Sequence, residues 1–155
     1  TGFIYNATNF DLLNEFKYDK TTTSTGEGWG ITYDPQKRLF IVTDGSEWLH
    51  FWDQDTFEET GRVRVVLPDG RAVPYLNELE WLNGRILANV WYQDVIISIH
   101  PETGIIEKVY DFGQLWTERT HGADCFNGIS ATDKEGEIFV TGKQWPYMYR
   151  IKLLQ

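Results

Sequence analysis

Three segments of the chain repeat the same order of short apolar runs and turns at a period near fifty residues. Gly28-Trp29-Gly30-Ile31 is followed by Leu39-Phe40-Ile41-Val42-Thr43-Asp44, and Leu76-Asn77-Glu78-Leu79 by Ile86-Leu87-Ala88-Asn89-Val90-Trp91. Phe126-Asn127-Gly128-Ile129 is followed by Ile138-Phe139-Val140-Thr141-Gly142-Lys143. Trp29, Asn77 and Asn127 share one repeat position, at offsets of 48 and 50. Asp44, Trp91 and Lys143 share another, at offsets of 47 and 52. A repeat of this length is one supersecondary unit that buries its apolar face only against its neighbours.

The unit reads as strands and turns. Turn signals fall at Asp34-Pro35, Asp44-Gly45, Asp69-Gly70, Asn83-Gly84 and Lys134-Glu135-Gly136. A third strand is expected at Trp48 to Trp52, Val95 to Ile99 and Tyr147 to Ile151, and a fourth at Arg62 to Val66 and Ile105 to Tyr110. No segment sustains a helical period. Four antiparallel strands repeated in this way make a propeller blade. The expected fold is therefore all-β, a partial β-propeller in one domain over residues 1–155. Residues 1–25 are expected to be the last strands of an upstream blade, Phe3-Ile4-Tyr5 and Leu12 to Tyr18. Blades follow at 26–70 and 71–115, with an incomplete one at 116–155. Closing a ring takes at least ~4 blades, so the chain reads as the C-terminal part of a larger protein whose remainder closes the ring. Two copies forming a six-bladed ring is a rival arrangement, and the unmatched partial blades at both ends weigh against it.

Charge and composition exclude several functions. A net charge of −9 without a Lys/Arg-rich run is wrong for phosphate backbones, so no nucleic-acid partner is expected. No stretch reaches the ~20 apolar residues of a membrane span. The single cysteine, Cys125, permits no internal disulfide and reads as a small buried side chain. His50, His100 and His121 lack metal-ligand spacing, so no metal is expected. Asn6-Ala7-Thr8 fits a glycosylation acceptor, which gives a weak pointer to a secreted, periplasmic or secretory-pathway location.

The blade reading locates the chemistry. In an antiparallel pair, the start of one strand and the end of the next lie at the same rim. Trp29, Asn77 and Asn127 begin first strands, and Asp44, Trp91 and Lys143 end second strands, so all six are expected at one mouth. No common packing role explains Asp, Trp and Lys at equivalent positions, which points to an asymmetric ligand site. Glu27 precedes Trp29 at the same rim. Glu78 and Glu80 alternate on one strand and read as solvated or Arg-paired carboxylates.

Gly26-Glu27-Gly28-Trp29-Gly30, Thr43-Asp44-Gly45-Ser46, Leu76-Asn77-Glu78-Leu79-Glu80, Ala88-Asn89-Val90-Trp91, Asn127-Gly128-Ile129 and Val140-Thr141-Gly142-Lys143-Gln144-Trp145-Pro146 together resemble the plant and bacterial type of glutaminyl cyclase, also called glutamine cyclotransferase. The similarity runs from Phe3 to Leu153. It implies a five-bladed propeller and an aminoacyltransferase that converts the N-terminal glutamine of a peptide or protein to pyroglutamate, releasing ammonia without a cofactor. It implies that Trp29, Asn77, Trp91 and Lys143 belong to the substrate site. Trp29 and Trp91 are then substrate-binding, and Asn77 and Lys143 catalytic. It also places the main acid/base glutamate in blades preceding Thr1, which leaves the isolated 155-residue chain inactive. The rival function is a non-catalytic propeller module that binds peptide or sugar.

Overall fold

The computed structural model describes residues 1–153. Among them there is no helix. A hairpin of β1 (Gly2–Tyr5) and β2 (Leu12–Phe16) precedes two four-stranded antiparallel sheets and one three-stranded sheet. The first sheet runs β3 (Gly30–Asp34), β4 (Leu39–Thr43), β5 (Trp48–Asp53) and β6 (Glu59–Arg64). The second runs β7 (Leu76–Leu82), β8 (Arg85–Val90), β9 (Val95–Ile99) and β10 (Ile106–Asp111). The third runs β11 (Phe126–Ala131), β12 (Glu137–Gly142) and β13 (Tyr149–Lys152). Within each sheet every strand pairs with the next in sequence, as in the blades of a propeller.

Period-two alternation assigns each apolar set to a layer between sheets. Ile41, Leu49, Leu79, Ile86, Ala88, Ile97 and Ile99 form one buried cluster across the first and second sheets. Leu87, Ile96, Phe126, Ile129, Ile138 and Val140 form the next, across the second and third. Odd and even residues of β8 and β9 thus serve opposite layers, which is why the middle sheet is apolar on both faces. The expected first-strand residues Ile31, Leu79 and Ile129 lie on β3, β7 and β11.

These first strands approach closely. The Thr43 hydroxyl donates to the Asn77 carbonyl (2.6 Å), and the Trp81 N–H donates to the Thr32 hydroxyl (2.9 Å). Farther round, the Gly128 N–H donates to Asn89 Oδ1 (2.9 Å), and the Ala131 N–H to Glu80 Oε1 (2.7 Å). Gly30 is a glycine because a Cβ there would run into the Asn77 carbonyl oxygen. The hairpin packs through Phe16, which stacks on Phe57 at 4.2 Å and meets Trp52 edge-on at 5.9 Å.

The register corrects one alignment. Ile31 pairs with Val42, Leu79 with Ala88 and Ile129 with Val140. Two residues further along the second strands, the equivalents are Asp44, Val90 and Gly142; one more step gives Gly45, Trp91 and Lys143. Asp44 therefore does not share the position of Trp91 and Lys143; Gly45 does. Leu39, the first apolar residue of its run, pairs with Asp34 and occupies the place that Arg85 holds opposite Leu82. Matching apolar starts displaces the first repeat by one residue.

Candidate functional site at the mouth

Trp29, Asn77, Trp91 and Lys143 line one cavity of about 240 Å³. Each arrives by a local device. The Trp29 N–H donates to the Thr43 carbonyl (2.8 Å), extending the β3–β4 ladder by one residue. Its indole occupies the space where a Gly45 side chain would stand: a Cβ there would lie 2.6 Å from Trp29 Cζ2. Asn77 lies inside a β-bulge, because pairing jumps from Leu76 opposite Val90 to Leu79 opposite Ala88. A bulge inserts one residue and re-aims a side chain. Asn77 is 5% exposed, and its carboxamide makes no hydrogen bond among the described residues. The Trp91 N–H donates to the Tyr75 carbonyl (2.8 Å), and the Tyr75 N–H to the Gly45 carbonyl (2.9 Å), so one loop ties Trp91 to the neighbouring sheet. The Lys143 N–H donates to the Cys125 carbonyl (2.9 Å), and its ammonium is exposed. Gly142 before it lacks a Cβ because the Trp145 indole lies against it.

The walls are aromatic. The Trp29 and Trp91 rings meet at 5.3 Å and 77°, an edge-to-face pair. Tyr92 lies 4.5 Å from Trp91 on its outer side. The Trp29 indole N–H donates to Glu27 Oε2 (2.6 Å), which fixes the ring and leaves a carboxylate at the rim. The cavity thus offers two indole faces, one unpartnered carboxamide and one ammonium. That set suits a small polar group carried on an aliphatic stem.

The other rim residues have different jobs. Asp44 is 1% exposed and accepts from the Thr25 and Ser46 N–H groups. Asn127 Oδ1 accepts the Glu78 N–H (3.4 Å), joining the second and third sheets. Glu80 is engaged by Ala131, and no arginine pairs with it or with Glu78 among the described residues. Glu78 lines a groove with Trp29, Gly30 and Ile31. Burial, and then the Glu80 charge, push its carboxyl up to about 7. Cys125 is buried, and burial raises its thiol above the ordinary value, so it is no thiolate nucleophile. A wider cleft of about 720 Å³ opens at the far end of β7 and β8, beside Asn83 and the paired Arg85 and Glu107.

Sequence reasoning named Gly45 only as a turn and motif residue, and did not name Tyr75. Gly45 was hidden by the one-residue misalignment. Tyr75 has a positive φ of 65°, which no residue pattern announces.

Consecutive antiparallel sheets, each built from strands in sequence order, define a propeller-type protein. The comparisons name the family. The model of the glutamine cyclotransferase family matches residues 1–153, and the chain belongs to that family. It is 38% identical over 160 residues to an Arabidopsis thaliana glutaminyl-peptide cyclotransferase, covering 100% of this chain and 47% of the relative. It superimposes on the crystal structure of Myxococcus xanthus glutaminyl cyclase with a TM-score of 0.73 at 35% identity, over 81% of this chain and 55% of that one. The chain thus spans about half the length of these relatives. The computationally designed Ika4 protein, at 10% identity and a TM-score of 0.52, shares the fold alone.

Proposed function

We propose that the chain carries part of the substrate site of a glutaminyl-peptide cyclotransferase, acting on peptides or proteins with an N-terminal glutamine. The observation that carries this reading is the meeting of Trp29, Asn77, Trp91 and Lys143, from three sheets, around one small cavity. Pockets for drug-sized ligands start near ~300 Å³. A cavity of about 240 Å³ is the size for one side chain rather than a long peptide.

The reaction joins the glutamine α-nitrogen to its own side-chain carbonyl carbon. The bond from that carbon to the amide nitrogen then breaks, and the nitrogen leaves as ammonia after gaining a proton. The reactants already share one residue, so the barrier falls mainly by holding the side chain folded back on the amine. Trp29 and Trp91, already in edge-to-face contact, form one aromatic wall against which the aliphatic stem packs and which excludes water. Asn77, with its carboxamide otherwise unpartnered, orients the glutamine amide. The Lys143 ammonium faces the carbonyl oxygen, where negative charge develops. The attacking α-nitrogen sheds one proton and the leaving nitrogen gains one, a transfer that a carboxyl group acting first as base and then as acid would carry.

The test, made in the full-length protein that carries this chain, is ammonia release and pyroglutamate formation from a peptide with N-terminal glutamine, with Lys143→Ala alongside. Turnover that Lys143→Ala lowers by about 10²–10³ supports the reading. Tight binding of the peptide without ammonia release would make this a binding module.

A further inference from the structure

Behind the cavity wall lies a buried charged cluster that the cyclisation chemistry does not use. His50 on β5 is fully buried. Its Nδ1 stands 2.9 Å from Glu59 Oε1 on β6, and its Nε2 stands 3.5 Å from Asp44 Oδ2 beyond the end of β4. Arg62, also on β6, holds Glu59 through Nε (3.1 Å) and a terminal nitrogen (3.1 Å). The Ser24 N–H (3.4 Å) and Oγ (3.5 Å) also approach the same Nε2, at long range. Two carboxylates, one arginine and an imidazolium sum to zero charge. A neutral imidazole would leave one buried negative charge uncompensated, which is costly. Although burial, the largest influence, opposes the charged ring, the hydrogen bonds and charges of Asp44 and Glu59 outweigh it and raise the His50 pKa above its ordinary value. Ser24, His50 and Glu59 have the order of a nucleophile, base and acid. The second carboxylate on Nε2 keeps that ring from accepting a hydroxyl proton, so the cluster is a clamp.

What it clamps leads to the site. Asp44 Oδ2 accepts the Thr25 N–H (2.8 Å), and the Asp44 carbonyl accepts the Thr25 hydroxyl (2.9 Å). The Thr25 hydroxyl oxygen accepts the Glu27 N–H (3.2 Å), and Glu27 Oε2 accepts the Trp29 indole N–H (2.6 Å). We infer that His50 is a positioning residue for Trp29, acting through the continuous chain Glu59–His50–Asp44–Thr25–Glu27–Trp29, so that the imidazolium fixes the indole that closes over the substrate. The functional half of this inference rests on the reading of Trp29 as substrate-binding.

A histidine whose folded pKa is raised contributes fully below its unfolded value near ~6.5 and loses that contribution as pH rises through the folded value. The clamp therefore loosens on the alkaline side. The charged groups that face the ring are Asp44 and Glu59, with Arg62 reaching it through Glu59.

The experiment labels the tryptophans with fluorine and follows the Trp29 resonance, assigned with Trp29→Phe, as pH rises above neutrality. The expected result is a Trp29 shift that titrates in the parent and is absent in His50→Gln. It is also absent in Thr25→Val, which cuts the chain on an exposed loop residue and keeps the test alive if the His50 variant does not fold. The affinity for a peptide with N-terminal glutamine should fall about tenfold through the same titration, the scale of one charged hydrogen bond, in the parent alone. A Trp29 resonance that does not titrate, or titrates alike in Thr25→Val, overturns the inference, as does a titrating resonance with pH-independent peptide affinity. A parent that binds no such peptide at any pH refutes the substrate reading instead, and the fluorine signal still decides whether the chain of contacts exists.

Discussion

Gly30→Ala tests the contact that holds the first and second sheets at their inner edges. Gly30 opposes Thr43 in a regular β3–β4 ladder, and its backbone angles are open to any residue. The cost is therefore steric, not conformational. An added Cβ would meet the Asn77 carbonyl oxygen, with the Asn77 carbonyl carbon at 2.9 Å and Glu78 Cα at 3.0 Å. All three atoms are backbone, and no side-chain rotation relieves them. The sheets must part. Overpacking of this kind costs about 1–3 kcal/mol. Separation also strains two hydrogen bonds across the seam, Thr43 to Asn77 and Trp81 to Thr32, worth about 1 kcal/mol each. The sum is roughly 3–5 kcal/mol. Gly61→Ala on β6 is the control, because a Cβ there meets nothing within 4 Å, and it should stay within about 0.5 kcal/mol of the parent. Urea unfolding of both variants measures the difference. A Gly30→Ala midpoint equal to that of Gly61→Ala would refute the close approach of β3 to β7.

In the full-length protein, Lys143→Ala should lower turnover of an N-terminal glutamine peptide by about 10²–10³ with a near-normal melting temperature, because its exposed ammonium forms no ion pair among the described residues; ammonia release and thermal unfolding on one sample check it. Gly45→Ala should weaken peptide binding, since its Cβ would displace the Trp29 ring and its φ of 82° adds about 1–2 kcal/mol of strain; tryptophan fluorescence and peptide titration read both effects. Glu78→Gln should raise the melting temperature at pH 8 and leave it unchanged at pH 4. The raised Glu78 pKa of about 7 means the folded state resists a charge that the unfolded chain accepts above about 4.5; melting curves across that range show whether the difference has the opposite sign.

The blades were legible because apolar residues recur at short spacing between turn dipeptides, and burial between sheets demands that pattern. The start of β6 was not. Glu59, Thr60 and Gly61 carry no apolar signal, and the strand was expected only from Arg62; in the structure, Gly61 pairs with Phe51 and Glu59 with Trp52, with Thr60 the extra residue of the bulge between them. The four cavity residues were legible from repeat position and family resemblance together. The Asp44–His50–Glu59 cluster was not, since its members lie on β5, on β6 and just past the end of β4, and His50 alternates like any core residue. Glu78 reads as a solvated carboxylate until the bulge at β7 sets it against Trp29 and Gly30.

The site is asymmetric because the three sheets divide its walls differently between their first and second strands. In the first sheet, Trp29 supplies the wall and its second-strand partner position, Gly45, gives up its side chain to make room. In the third, Asn127 turns away to accept the Glu78 N–H, and Lys143 supplies the group. Only the middle sheet supplies both, Asn77 and Trp91. The β7 bulge makes this possible. Leu76 and Leu79 are three residues apart yet both buried in the same cluster, whereas regular pleating would send them to opposite faces. The extra residue lets the strand bury both leucines and still present Asn77 at the mouth. β11 carries the same bulge, between Phe126 and Ile129, so the irregularity alone does not make a binding residue. What differs is the partner: the Asn127 carboxamide finds the Glu78 N–H, while Asn77 finds none among the described residues, which is what the proposed substrate role needs. A symmetric scaffold thus acquires a one-sided site through which carboxamide the neighbouring strand satisfies.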